Sequence, residues 1–398
     1  MRRGRDPHEP HRVSTPLELL FDLSFVVAIA LAAAQLHHGE AAQHWIVVPQ
    51  YLAAFFGIWW AWMTYTWYAS AYDNDDLLFR ALTMAQMFGV LVFAVGIPGF
   101  FSGELQAATA GYALMRLALV AQWLLAARDD PPRRRTCLRY ALGIVVVQAL
   151  WIARLLVPPA WFWPSFVLMA ALELLVPMWA ERAGATPWHP HHIAERYALM
   201  VIIGLGECVL GAANAVANLW RGGSAASAEL AIVGLGSMLL VLALWWLYSL
   251  LPSGQALHHH RERAFGWGYG HYVAFAAVAA VGAGLEVVAD TLQPAVESAH
   301  AAEAAEAAHA VSPLLAITAV ALPQAVLVAA IGMLQCHALG SAAGRVAGWL
   351  GCLLAIAAVP LAVALGLPLP WGLVALSIGP ALLIVAQERG RRSEAGPG

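Results

Sequence analysis

The sequence predicts an all-α, polytopic transmembrane helical bundle of about twelve spans, and three features carry that expectation. Of 398 residues, 61% are apolar or aromatic and only 11% are charged. Adding the 34 glycines lifts the apolar share to about 70%, against roughly 45–50% in soluble domains. Apolar runs of about twenty residues recur from one end to the other, which is the length that crosses a bilayer. All 21 basic residues are Arg and none is Lys. Chemistry that needs a lysine amine, such as a retinal or pyridoxal Schiff base or a P-loop phosphate contact, is thereby excluded.

In chain order, the first span covers about 17–36 and opens on Thr15-Pro16-Leu17-Glu18. That tetrad reads as a capping box, with Pro at the first helical position and Glu18 positioned to reach back to Thr15. The second, 46–68, carries Trp59, Trp60, Trp62, Tyr65, Trp67 and Tyr68 in its inner half. Span three, 77–100, has Arg80 near its start; span four, 107–127, has Arg116 near its middle. The basic loop RDDPPRRR at 128–135 reads as a topology determinant and leads to span five, 137–157, and span six, 161–180, which holds Glu173. Span seven, 196–217, follows Glu195 and has Glu207 near its middle, flanked by Gly204 and Gly206. Small residues of that kind let helices approach closely. Span eight, 229–251, carries Trp245, Trp246 and Tyr248; span nine, 270–289, begins at His271 and holds Glu286 in its outer half. An acidic, Ala-rich outer segment at 290–311 is expected to be helical, and spans ten to twelve cover 312–335, 346–366 and 371–387.

Placing the amino terminus inside puts 18 of the 21 Arg on the inner side and leaves only Arg154 and Arg221 outside, with Arg116 within a span. The positive-inside rule then places both termini in the cytoplasm of a multi-pass inner-membrane protein. The first apolar stretch contains Glu18 and Asp22 and lacks a convincing cleavage site, so it is expected to remain as a helix. Four divisions follow: a cytoplasmic arm at 1–16, six-helix halves at 17–182 and 183–387, and a cytoplasmic tail at 388–398. The Trp and Tyr clusters of spans two and eight, six helices apart, suggest two parallel repeats; interfacial aromatic belts are the alternative explanation.

A charge at mid-bilayer costs roughly 2.5–3.5 kcal/mol on insertion scales, so each one calls for a partner, a function or a wet cavity. By depth alone, Asp22 is expected to pair with Arg80 and Glu207 with Arg116. Burial raises a carboxyl pKa and a neighbouring Arg lowers it; where burial dominates, Glu207 becomes a proton carrier. Glu173 and Glu286 are open between packing and pathway roles. His271, just inside a helix, is a second titratable candidate.

The His189-Pro190-His191-His192 and His258-His259-His260 clusters lack a fixed ligand shell and read as solvated loops. No metal site, cofactor or catalytic residue is expected. Cys137, Cys208, Cys336 and Cys352 stand singly and read as reduced packing residues. The small net charge of −3 gives no nucleic-acid footprint; the expected partners are membrane lipids and a small-molecule solute.

Four ordered stretches carry a family resemblance: Thr15 to Leu23, Asp75 to Arg80, Glu195-Arg196-Tyr197 running to Gly204-Leu205-Gly206-Glu207, and Tyr269-Gly270-His271 with Gly284-Leu285-Glu286. In these the chain resembles the bacterial low-temperature-requirement A family over nearly its whole length. The resemblance implies a multipass inner-membrane protein associated with growth in the cold, without an established activity. Where the family usually has Ser after the Glu of span seven, this chain has Cys208. Because the charged positions are also those of the resemblance, Asp22, Arg80, Glu207, His271 and Glu286 are expected to form one polar centre. The leading functional expectation is a secondary transporter that couples protonation of Glu207 or Asp22 to movement of a small polar solute. An intramembrane enzyme acting on lipid, and a structural membrane protein whose polar pairs only fix helix register, are the alternatives.

Overall fold

The computed structural model describes residues 4–10, 12–221, 227–292, 311–339 and 343–394. Arg2, Arg3 and most of the expected outer segment at 290–311 lie outside them. Within the described residues the chain is helical throughout, and twelve helices have 20 residues or more. They are α1 (Pro16–Ala41), α2 (Val47–Tyr72), α3 (Leu77–Ser102), α4 (Gln106–Asp129), α5 (Arg134–Ala153), α6 (Phe162–Glu181), α7 (Pro190–Arg221), α8 (Ser227–Ser249), α10 (Ala264–Thr291), α11 (Pro313–Leu339), α12 (Ala343–Ala364) and α13 (Leu369–Glu394). A short helix that the sequence did not suggest, α9 (Ser253–His259), contains His258 and His259.

Eleven candidate spans are long and apolar enough to cross a membrane. The long helix outside that set is α2, whose Trp and Tyr residues lower its hydropathy without shortening it. Large apolar side chains such as Val95, Leu354 and Leu365 point outward, more than two-thirds exposed. A soluble protein would bury such residues, whereas lipid solvates them. The chain is therefore a polytopic helical membrane protein. Most helices exceed the expected spans by several residues, because caps and amphipathic ends continue the helix beyond the apolar run. Asp76, for example, caps α3 by accepting from the Phe79 N–H, and Gly103 ends it in the left-handed region at φ 91°.

The fold divides into two compact units. Unit 1 holds residues 1–32 and 49–197; unit 2 holds 33–48 and 198–398. In unit 1, α3 packs on α4, α4 on α5 and α5 on α6, while Trp60 of α2 reaches Glu173 of α6. In unit 2, α10 packs on α11, α11 on α12 and α12 on α13, while α8 lies against α13. The succession of neighbours thus recurs, but the aromatic clusters that suggested a repeat are not alike. Trp60 and Trp62 are fully buried; Trp245 and Trp246 are nearly half exposed.

Glycines set the closest approaches. A Cβ at Gly96 of α3 would overlap the backbone of Ala107 and Ala108 in α4, and one at Gly284 of α10 would overlap the Ala319 carbonyl in α11.

Candidate functional site

Unit 1 contains two buried ion-pair clusters. The first is built where the chain enters α1. Thr15 and Glu18 form a reciprocal cap, the Thr15 N–H donating to Glu18 Oε2 at 2.7 Å and the Glu18 N–H to Thr15 Oγ1 at 3.3 Å. Glu18 is fully buried, and it also faces Arg12 at 3.4 Å, His192 at 3.1 Å and Arg196 at 3.3 Å. One turn deeper, Asp22 takes a two-pronged contact from Arg196 of α7, through Nε at 3.0 Å and through NH2, and a bond from the Trp62 indole at 2.7 Å. Two carboxylates and two guanidiniums thus balance out of water, which is the condition under which buried charge is tolerated.

The expected partner of Asp22 was Arg80. Instead, Arg80 lies half exposed and forms its own pair with Asp75 at 2.7 Å. Depth alone could not decide this: Arg80 sits on the outward side of α3 and folds back on the Asp75 of the preceding turn. Arg196, to which the sequence assigns no partner, faces inward from the first turns of α7 and pairs with Asp22.

The second cluster corrects the pairing of Arg116. It binds Glu173 of α6 and Thr64 of α2, each at 2.5 Å, and lies over the Tyr112 ring at 5.2 Å. Glu173 accepts further bonds from Trp60 at 2.7 Å and Tyr112 at 2.8 Å. Both its oxygens are engaged, so the cluster ties α2, α4 and α6 together.

The arm before α1 is part of the first cluster's surroundings. Arg5 donates from its backbone to the Ala71 carbonyl at 2.9 Å and from its side chain to the Asp73 carbonyl at 3.0 Å. The His189 ring bonds to the Glu9 carbonyl at 2.9 Å, and its backbone N–H donates to Ser70 at 3.0 Å. His189 and His192, expected in a solvated loop, are buried by this arrangement. Burial pushes His189 below the usual histidine range, and its ring is satisfied in the neutral form. Asp73, just past α2, is pushed up to about 6 by burial and by the nearby Glu18 carboxylate.

Unit 2 presents a different arrangement. Along one stripe of α7, Gly204, Glu207, Gly211, Asn214 and Asn218 face α10 in the i, i+3, i+4, i+7 pattern. A Cβ on Gly282 would come within 2.6 Å of the Glu207 Cβ, and one on Gly211 within 2.9 Å of the Gly282 carbonyl. Higher up, Asn214 donates to Glu286 at 2.7 Å and Asn218 to the Ala289 carbonyl at 3.0 Å. Contacts advance in the same direction along both helices, so α7 and α10 run parallel. Cys208 donates from its thiol to the Val278 carbonyl at 3.3 Å. Glu207 is buried and makes no hydrogen bond or ion pair among the described residues, and the charged group it feels is another acid, Glu286.

His271 does not join these acids. Its Nδ1 faces the Trp267 carbonyl at 2.7 Å and its Nε2 faces the Tyr248 hydroxyl at 3.0 Å. It stands 15 residues, about 22 Å, before Glu286 on α10. The expected single polar centre therefore does not include Arg80 or His271. Arg80 lies at the surface, Asp22 belongs to the ion-pair cluster of unit 1, and His271 lies four turns from Glu286. Among the described residues, no group of three or more His, Cys, Asp and Glu side chains is placed to hold a metal ion.

Arg12, His192, Arg196, Trp60 and Trp62 take part in these clusters although their sequence positions suggest no such role. Asn214, the partner of Glu286, does carry a readable signal, since it follows Glu207 by seven residues on a stripe already marked by glycines.

A profile of the bacterial low temperature requirement A proteins matches residues 13–383, which takes in the α7–α10 stripe and both ion-pair clusters apart from Arg12. The chain belongs to the LtrA family. An LtrA relative in curated collections, "Uncharacterized protein RA0937" of Rhizobium meliloti (strain 1021), is 27% identical over 241 residues. The matched region is 58% of this chain and 57% of that protein, so it spans little more than half of the relative's length. No solved structure matches this LtrA protein.

Proposed function

We propose that this LtrA-family membrane protein is a proton-linked secondary transporter of a small polar solute, with Glu207 as its titratable element. One observation carries the reading. Glu18, Asp22 and Glu173 each face an Arg, whereas Glu207 is buried in a span without a cation or a hydrogen-bond donor and beside a second acid. Intramembrane acids of that kind are the groups that take up and release protons in transporters. The ion-paired clusters of unit 1, in the same reading, hold helices in register.

The test uses purified protein in liposomes loaded with a pH-sensitive dye and challenged with a library of small polar metabolites. At least one solute is expected to move protons with it in the wild type and to fail in Glu207→Gln, while the variant keeps the wild-type folded yield. Solute uptake that persists unchanged in Glu207→Gln defeats the proposal.

A further inference from the structure

We infer that a cleft in unit 1, at the end of the helices opposite the arm before α1, binds an apolar monocarboxylate whose anion is received by Arg154. The site lies in unit 1 and does not rest on the transporter reading, which rests on acids of unit 2.

The cleft opens between the start of α2, the end of α3, the start of α4, the end of α5 and α6, and it holds about 580 Å³ of atom-free space, its open mouth included. Its walls are mainly apolar, with the rings of Phe56, Phe93, Phe100, Trp151 and Phe166 among them and Thr109 and Tyr112 as the uncharged polar members. Such a lining accepts a ring or a short acyl chain and offers no solvation to a free charge. Arg154 nevertheless lies in it, only 7% exposed. Its Nε donates to Ser165 at 3.0 Å, and the guanidinium sits 4.3 Å from the centre of the Phe162 ring and 5.8 Å from that of Trp151. Its two terminal nitrogens make no hydrogen bond among the described residues, and no acid interacts with it.

Two ordinary explanations do not account for this arginine. Topology does not ask for it, because on the positive-inside reading it is one of only two Arg on the outer side. A long cation at a helix end normally extends its head into water, whereas this one is folded inward between two aromatic rings. A second donor beside it is also unanswered: the indole N–H of Trp151 is buried without an acceptor. A guanidinium with no hydrogen bond at its terminal nitrogens is a donor fork for one carboxylate, and the Trp151 ring that carries the unanswered N–H stands 5.8 Å from it. The aromatic walls then require the rest of the ligand to be apolar. A free aromatic acid and a fatty acid drawn from the bilayer share this chemistry.

The test is calorimetric titration of the full chain in detergent with benzoate and with decanoate, each beside its neutral alcohol, benzyl alcohol or decanol. The acids are expected to bind saturably, at least roughly tenfold more tightly than the alcohols, as a charge-assisted hydrogen bond would give. Arg154→Gln is expected to remove that preference, and Trp151→Phe, which keeps the ring and loses the N–H, to weaken it. Tighter binding of benzoate identifies a free aromatic acid as the ligand; tighter binding of decanoate identifies an acyl chain. The acid-over-alcohol preference is read in the wild type and stands even if Arg154→Gln does not fold. Equal affinity for acid and alcohol, no binding of either acid, or an unchanged preference in a folded Arg154→Gln protein each overturns the inference.

Discussion

Asp22 and Arg196 illustrate what a charge inside the membrane requires. Arg196 is wholly buried and meets two carboxylates, so replacing it by Leu leaves Asp22 and Glu18 buried with fewer partners. Arg196→Leu is expected to cost about 3–5 kcal/mol of stability, read from thermal unfolding in detergent. A loss below 1 kcal/mol would mean that water reaches the cluster. Arg116→Leu and Glu173→Gln should couple in a double-mutant cycle, the double variant losing less than the two single losses together. Additive losses would show that their contact does not hold the helices. Asp73 carries a pH dependence of defined sign. Its folded pKa of about 6 lies above the ordinary aspartate value, so at pH 7 the fold bears the cost of an ionised, buried carboxylate. Stability from this group rises as pH falls through 6 toward 4, where the folded state holds a proton that the unfolded chain has released. Asp73→Asn is therefore expected to gain about 1–3 kcal/mol at pH 7.5, with the gain shrinking toward pH 4. A gain that does not change with pH would contradict this account of Asp73.

Among the helices, glycine contacts decide which ones can lie close. Gly282 has the Glu207 side chain and backbone against it, whereas Gly206 has nothing within 4 Å of where a Cβ would stand. Gly282→Ala is expected to lower stability by about 1–3 kcal/mol, since the α7–α10 contact must open to admit the methyl. Gly206→Ala should be neutral or slightly stabilising, because Ala favours the helix. Equal effects at the two positions would show that the close approach is not made. This difference marks how far the sequence could be read. Existence and order of the long helices were legible because a twenty-residue apolar run has few other uses, and the Thr15–Glu18 cap was visible in its spacing. Facing directions were not legible. Hydropathy gives depth along a span and says little about rotation when nearly every side is apolar. Arg80 and Arg196 lie at comparable depth, and only the rotation of their helices exposes one and buries the other. Glu173 was passed over for Arg116 for the same reason. The aromatic run of α2 was noticed, but its work as hydrogen-bond donor to Asp22 and Glu173 depends on packing that no periodicity encodes.

Across the whole molecule, the family match and the long apolar helices establish a polytopic membrane protein, and the distribution of Arg predicts cytoplasmic termini. Twelve crossings would return the chain to its starting side. Reporter fusions at either terminus are expected to be active only in the cytoplasm; an active periplasmic reporter at one terminus would remove a span from the topology. Glu18, Asp22 and Glu173 each face an Arg, whereas Glu207 has no ion pair among the described residues, so the proposal stands or falls on whether Glu207 exchanges a proton with its surroundings. The most direct measurement is pH-difference infrared spectroscopy of the reconstituted protein, which sees the carbonyl stretch of a protonated carboxyl group. The account predicts a carboxyl band that appears and disappears with pH in the wild type and is absent from Glu207→Gln. A titrating band that survives unchanged in Glu207→Gln would contradict it.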